Sequence, residues 1–308
     1  MTLSRRRFLT IAASAAAVPA GAAAPEVTRW RGTALGAAAS LRIEGLAPGA
    51  GRDAILAVQA ELVRLERIFS LYRAESALSR LNAAGRLDAP PPELLELLAL
   101  ADRLHRATGG AFDPTVQPVF VAHARAAVAG RTATAAEIDA ARAAVGWDGV
   151  AFDTRAVRLA RPGSGLTLNG IAQGDIADRV AALLRARGLR DVLVDTGEIV
   201  GRGTRGDGEP WQAGVAAPDG TVLAHVQLRD RALATSAPLG TVLDPAGRVG
   251  HIFAPATGQV ATTRALVAVS APRAALADGL STAFCLMPDD AVRRAIGVFP
   301  GAALETTL

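Results

Sequence analysis

The apolar positions of this chain switch between a period of two and a period near 3.6, and each switch marks a new element. Trp30-Arg31-Gly32-Thr33 and the alternating run from Ala39 to Ile43 read as an edge strand. Ile55, Val58, Leu62, Leu65 and Phe69 then recur at helical spacing, with Glu61, Arg64 and Arg67 between them. A break at Ser70-Leu71-Tyr72-Arg73 leads to a shorter helix that begins near Ser76 and closes at Leu81-Asn82. After Pro90-Pro91-Pro92, a helix from Glu93 to about Ala107 places Leu94, Leu97, Leu98, Ala101 and Leu104 on one face. Thr108-Gly109-Gly110 caps it, and Asp113-Pro114 reads as a turn.

Further along, Thr134 and Glu137 form a capping box for a helix reaching Val145, and Val150–Phe152 pairs with Val157–Ala160 across Asp153-Thr154. A short apolar strand runs through Leu168-Asn169-Gly170-Ile171-Ala172-Gln173-Gly174 into a helix that continues through Val180 and Leu183 to Gly188. Such a glycine-spaced turn is either a tight connector or an anion site at a helix N-terminus. The strand Val192-Leu193-Val194 ends at Asp195-Thr196-Gly197-Glu198. Gly201-Arg-Gly203-Thr-Arg-Gly206 matches a dinucleotide fingerprint in letters, but Asp207-Gly208-Glu209-Pro210 continues it where a helix is required, so it reads as a hairpin loop.

Trp211–Ala216, Leu223–Leu228 and Ala232–Thr235 read as successive antiparallel strands, and Thr241–Leu243 and Val249–Phe253 flank a turn at Asp244-Pro245-Ala246-Gly247. After a strand from Ala265 to Ser270, Pro272 reads as the first position of the last major helix. Leu276, Leu280, Phe284 and Met287 form its buried stripe, while Asp278 and Thr282 share another face, which is either solvated or able to bind one hard cation. The only tyrosine, Tyr72, reads from its surroundings as a half-buried core ring. Together these elements predict an α+β fold with mixed, mainly antiparallel sheets and helices packed on them.

Composition narrows the chemistry. At 308 residues, half of them hydrophobic, the chain has enough apolar surface for a large core. All 33 basic residues are arginine, which excludes a P-loop of the usual kind, a Schiff-base lysine and a lysine general base. The lone Cys285 cannot make an internal disulfide or hold an iron–sulfur cluster, which takes about four thiolates. The four histidines, at 105, 123, 225 and 251, lack zinc-site spacing, so a hard metal held by oxygen is the better expectation. The net charge of +4, three units of it from Arg5, Arg6 and Arg7, does not point to nucleic acid. Ser4-Arg5-Arg6-Arg7-Phe8-Leu9-Thr10, the apolar run from Ile11 to Val18 and the small residues at 20–24 have the three parts of an export signal, and the arginine pair followed by Phe-Leu resembles the twin-arginine class. Residues 1–24 are expected to be the leader, and 25–308 a soluble periplasmic domain with no membrane span.

In this order, the motifs resemble the ApbE family of FAD:protein FMN transferases over roughly Arg31 to Met287. They are Gly32-Thr33, Ser70-x-Tyr72, Ser76-x-Leu78-x-x-Leu81-Asn82, Thr108 to Pro114, Gly170-Ile171-Ala172-x-Gly174 with Asp178, Thr235-Ser236, His251-Ile252 with Pro255-x-Thr257-Gly258, and Ala277-Asp278 with Thr282. The resemblance implies a two-lobed fold with FAD, as substrate, in the cleft between the lobes. It further implies magnesium on the pyrophosphate, and FMN transfer to a threonine of a target carrying an Asp-x-x-Ser/Thr-Gly-Ala-Thr-like motif, with AMP leaving. The implied metal ligands are the carbonyl of Ala172 and the side chains of Asp278 and Thr282, and the implied catalytic residues are His251, as base, and Asp278. The implied FAD contacts are Ser70, Tyr72, Asn82, Asp113, Gly170, Gln173, Gly197, Glu198, Thr235, Ser236 and Thr257.

The chain departs from the usual pattern of the family at four places. Gln173 stands for lysine, Thr196-Gly197-Glu198 for Gly-Gly-Asp, Ala254-Pro255 for Asp-Pro, and Thr167 for aspartate. Gln173 with the twin-arginine leader resembles the branch associated with nitrous-oxide respiration, whose targets include a membrane electron-transfer subunit. The alternatives are a magnesium-dependent FAD pyrophosphatase and a non-catalytic flavin carrier.

Overall fold

The computed structural model describes residues 9–10, 27–46, 50–244 and 246–308. Apart from Leu9–Thr10, the expected leader lies outside the described residues, as does Pro245 of the 244–247 turn. In chain order the elements are β1 (Leu9–Thr10), β2 (Val27–Ala34), β3 (Ala37–Glu44), α1 (Ala50–Phe69), α2 (Ala77–Ala84), β4 (Arg86–Asp88), α3 (Pro92–Ala107), α4 (Gln117–Val128), α5 (Ala135–Arg142), β5 (Val150–Phe152) and β6 (Ala156–Leu159). They continue with α6 (Ala172–Ala186), β7 (Val192–Asp195), β8 (Ile199–Arg202), β9 (Trp211–Ala216), β10 (Val222–Leu228), β11 (Arg231–Ser236), β12 (Val267–Ala271), α7 (Ala274–Phe284), α8 (Asp289–Ile296) and β13 (Ala303–Thr307).

The strands form a seven-stranded sheet in the order β13-β12-β11-β8-β7-β3-β2 and two three-stranded sheets, β1-β9-β10 and β4-β6-β5. Pairing is antiparallel throughout the described strands; β2 lies at the edge, while the Ala39–Ile43 run expected with it forms the separate strand β3, paired on both sides by β2 and β7. The central strands are apolar at nearly every position because both faces of the large sheet are covered. Val192 and Val194 of β7, Ala232 and Ala234 of β11, and Val267 and Val269 of β12 point into the helical core. The alternating residues Leu193, Leu233 and Ala268 point the other way, against Trp211, Val215, Val226 and Leu228 of β9 and β10. The result is an α+β arrangement of three layers: helices, large sheet, small sheet.

The helices follow their predicted stripes. Val58, Leu62, Leu65 and Phe69 of α1, and Leu94, Leu97, Leu98, Ala101 and Leu104 of α3, are buried in one core. Each fully buried leucine contributes about 1.5–3 kcal/mol relative to exposure. Ser76 caps α2 by accepting from Ser79 N at 3.0 Å, and the Thr134–Glu137 box opens α5 as predicted.

Three further expectations need correction. The 203–210 loop is not a helix start, but neither is it a hairpin: it carries the chain from β8 in the large sheet to β9 in the small one. Helix α7 starts at Ala274 rather than Pro272, and its N-terminal N–H groups are satisfied from another helix. Asp178 of α6 accepts from Ala274 N at 2.9 Å and from Ala275 N at 3.1 Å. Finally, the Asp278/Thr282 face of α7 is not solvated, because α7 is enclosed and Asp278 is 4% exposed.

The Asp178 contact has a counterpart. Asp278 of α7 accepts from Gly174 N, in the first turn of α6, at 3.3 Å. The two helices thus exchange carboxylate caps near their N-termini, where each helix dipole favours negative charge. Gly174 permits the approach: a Cβ at that position would overlap the carbonyl oxygen of Ala274, a backbone atom that cannot rotate away. Gly174→Ala is expected to destabilise the protein by about 1–3 kcal/mol through overpacking. Asp178→Ala is expected to cost about 2 kcal/mol or more by leaving two buried N–H groups unpaired. Urea unfolding midpoints check both, and midpoints equal to wild type would show that the α6–α7 joint does not limit stability.

Candidate functional site

A cavity of about 700 Å³ opens where α6, α7, the end of β11 and the 238–255 segment meet. The glycine turn forms one wall. The segment entering it is irregular rather than the strand its apolar residues predicted, and Asn82 clamps it, with Nδ2 donating to the Leu166 carbonyl and Oδ1 accepting from Leu166 N, both at 2.8 Å. Thr167 N donates to the Pro114 carbonyl at 2.8 Å, which ties this segment to the Asp113 turn. The chain then tightens, with Ile171 N and Ala172 N both donating to the Leu168 carbonyl at 3.0 and 2.7 Å. The anion reading of this turn is answered from inside the protein, since Gly174 N is given to the Asp278 carboxylate.

Asp278 is a strongly perturbed acid of the cavity. Burial pushes its carboxyl up to about 8, and the single Gly174 N–H offsets little of this. No arginine pairs with it among the recorded ion pairs of the described residues. One turn later, Thr282 lines the same cavity, and its hydroxyl lies 3.3 Å from Ser236 Oγ at the end of β11. Ala172 is buried at the first position of α6 and is not among the residues lining the cavity.

The opposite wall is the 195–198 loop. Asp195 Oδ1 accepts from Gly197 N at 3.0 Å, and Glu198 Oε2 accepts from Thr235 N at 3.3 Å. Gln173 holds the loop in place: its Nε2 donates to the Thr196 carbonyl at 3.2 Å, and Thr196 Oγ1 returns a bond to the Gln173 carbonyl at 3.0 Å. Gly197 has a φ of +110°, and a Cβ there would sit 2.8 Å from Gln173 Nε2. A neutral amide therefore fits against this backbone, where it donates to a carbonyl at close range.

His251 faces the cavity from the other side. Its Nδ1 lies 3.1 Å from the Pro238 carbonyl and 3.2 Å from that of Thr241. Both partners are acceptors, so Nδ1 carries the proton and Nε2 is the basic nitrogen of the neutral ring. This segment is held by α4, where His123 Nε2 meets the Gly258 carbonyl at 3.1 Å and the His123 ring stacks on Phe253 at 4.5 Å. Helix α4 was not among the predicted elements, although Val116, Val119, Phe120, His123 and Ala126 carry a helical period.

Asp113 lines the cavity and also caps a 3-10 turn, accepting from Thr115 N at 2.8 Å and from Thr115 Oγ1 at 2.6 Å. Burial raises its carboxyl pKa, against the pull of these bonds and of His105 at 3.8 Å. Tyr72 lies on the rim and is 68% exposed rather than half-buried, because the bends around it leave no element to cover its ring. Ser70 lies behind it, its Oγ accepting from Tyr72 N at 3.1 Å. Thr257 lies outside the lining, in an exposed turn, where its Oγ1 accepts from Gln259 N at 3.3 Å.

The structure thus brings Tyr72, Asp113, Gly170 and Gln173 to one cavity with Gly197, Glu198, Thr235, Ser236, His251, Asp278 and Thr282. Ser70, Asn82, Ala172 and Thr257 stay behind or beside the wall. Thr235 Oγ1 is a buried hydroxyl on this wall with no hydrogen-bond partner among the described residues, which suits contact with a polar ligand.

Known proteins resemble this chain in sequence and in fold. The sequence model of the ApbE family matches residues 35–303. A FAD:protein FMN transferase of Treponema pallidum is 32% identical over 266 residues, covering 78% of this chain and 73% of that protein. One from Klebsiella pneumoniae is 28% identical over 260 residues, covering 78% and 72%. The crystal structure of the Pseudomonas stutzeri flavinyl transferase ApbE, in its apo form, superposes with a TM-score of 0.77 at 29% identity, covering 89% of each chain. With the family model matched over most of its length and a relative at 32% identity, the chain belongs to the ApbE family.

Proposed function

We propose that this chain is a FAD:protein FMN transferase, which moves the FMN part of FAD onto a threonine hydroxyl of another protein and releases AMP. The observation that carries the reading is the pairing of a buried, unneutralised carboxyl, Asp278, with the Thr282 hydroxyl one turn away, in a cavity that also receives His251. The donor set fits magnesium, a hard cation that takes carboxylate and hydroxyl oxygens, and an arriving cation would supply the charge partner that Asp278 lacks. When bound, magnesium would neutralise charge on the pyrophosphate and favour departure of AMP.

In this reading the protein's own groups do the rest. His251 Nε2 takes the proton from the acceptor threonine, with Nδ1 fixed by the two carbonyls so that the ring presents the correct nitrogen. The threonine oxygen forms a bond to the FMN-side phosphorus as the bond from that phosphorus to the AMP oxygen breaks. Thr235, Glu198 and the Gln173-held loop offer polar contacts along the cavity, and Tyr72 on the rim offers an aromatic face. The Ser4–Thr10 leader supports a periplasmic location, and among the described residues no helix is long and apolar enough to cross a membrane.

Three outcomes test this reading. Asp278→Ala is expected to lower covalent flavin on a threonine-bearing acceptor by at least about a hundredfold, as read by flavin fluorescence of the denatured acceptor. Transfer at the wild-type rate would remove Asp278 from the site. His251→Ala is expected to slow transfer by about 10²–10⁴-fold while FAD affinity changes little; equal losses in both would make it a binding residue instead.

The third outcome concerns pH. A carboxyl raised to about 8 keeps a proton in the folded state that it gives up in the unfolded state. Metal-free stability therefore falls as pH rises from the ordinary carboxylate range through about 8. A cation takes the place of that proton, so the rise in Tm on adding magnesium is expected to be larger at pH 8 than at pH 5.5. A rise that is equal at the two pH values, or absent, would contradict a cation at Asp278.

A further inference from the structure

Behind the Asp278 and Thr282 oxygens runs a short chain of hydroxyls that the transfer step does not use. Ser281, on α7, is fully buried, and its Oγ donates to the Asp278 carbonyl oxygen at 3.0 Å. A hydroxyl has one proton to give. The 2.7 Å contact between Ser281 Oγ and Ser236 Oγ is therefore made with Ser236 as donor. That commits the Ser236 proton, so the 3.3 Å contact between Ser236 Oγ and Thr282 Oγ1 is made with Thr282 as donor. These proton positions follow from counting donors and acceptors along the network.

We propose that Ser281 and Ser236 are positioning residues that hold the Thr282 hydroxyl proton along the cavity wall, on Ser236, so that its lone pairs are left to a divalent cation in the cavity. The inference rests on the reading that such a cation sits between Asp278 and Thr282. Two features of the surroundings support it. A helical threonine ordinarily rests its proton on a carbonyl three or four residues back, but the Asp278 carbonyl, four residues before Thr282, is already taken by Ser281. On the cavity side the hydroxyl is covered by no side chain of Gly170, whose backbone packs so closely that a Cβ there would lie 2.9 Å from Thr282 Oγ1.

Without the chain, the Thr282 hydroxyl is free to rotate. In some of its rotamers the proton then points at the cation and repels it. With the chain, the orientation is fixed before the metal arrives. Partners of this kind, behind the ligands themselves, typically change metal affinity by about 10–100-fold when removed.

The test measures Mn²⁺ binding to the full-length, FAD-saturated protein by the loss of the free-ion electron paramagnetic resonance signal. Ser281→Ala and Ser236→Ala are compared with wild type and again in a Thr282→Ala background, with Asp278→Ala alongside. Each serine variant is expected to weaken Mn²⁺ binding by about tenfold or more. Neither should weaken it further once Thr282 is alanine, since the effect acts through that hydroxyl. Weakening that persists in the Thr282→Ala background would mark a general packing role and overturn the proposal. Unchanged affinity in both serine variants, with affinity lost in Asp278→Ala, would overturn the proposal and leave the cation reading standing. Wild-type affinity in Asp278→Ala would remove the cation reading and the proposal together. Ser236 lies on β11 and is only half-buried, so its variant provides the test even if Ser281→Ala fails to fold.

Discussion

The exchange of carboxylate caps between α6 and α7 sets where everything else in the cavity stands. Asp178 reaches across to the first N–H groups of α7, and Asp278 returns a bond to the first turn of α6. The two contacts are chemically alike but differ in consequence. Burial raises both carboxyls, but Asp178 has two N–H partners and Arg273 and Arg202 nearby, so its charge is met within the protein. Asp278 has one N–H partner and a raised carboxyl pKa, so its structural bond leaves most of its binding capacity unspent. A carboxylate that fixes helix packing and also faces a cavity is held in place before any ligand comes, which is the preorganisation a metal or phosphate site needs.

The remaining walls are attached to that joint by hydrogen bonds as well as by the packing of β11 on α7. Gln173, one residue before the crossing point at Gly174, holds the 195–198 loop, and that loop in turn reaches β11 through Glu198 and Thr235. Ser236, at the end of β11, returns to α7 through Ser281 and Thr282, which closes a ring of contacts around the cavity. His251 lies outside this ring. Its segment is anchored on α4 by His123 and by the small apolar cluster of Val119, Leu243 and Phe253. In the proposed function, the base His251 and the oxygens of Asp278 and Thr282 would thus be carried by separate parts of the structure, and an acceptor chain would enter between them.

Much of this was legible in the sequence, and what was missed has physical causes. The stripes on α1 and α3, the Thr134–Glu137 box and the glycine turn before α6 depend on residues close together in the chain, where period and capping chemistry suffice. The start of α7 was misplaced because its cap, Asp178, comes from nearly a hundred residues away. The Asp278 face was open to two readings because spacing places residues on one helical face without telling whether that face meets water. Tyr72 read as half-buried because aromatic residues usually are, yet the bends around it expose the ring. The roles of Gln173 and Ser281 depend on a loop and a strand end that only the fold brings near, and no local pattern announces them.

The proposed function has this cavity deliver FMN to a protein hydroxyl rather than to water. The decisive measurement is of AMP released from FAD with magnesium, in the presence and absence of an acceptor carrying the threonine motif. The expected result is AMP in one-to-one ratio with flavinylated acceptor and almost none without it. AMP and free FMN forming at the same rate without an acceptor, or no AMP under either condition, would contradict it.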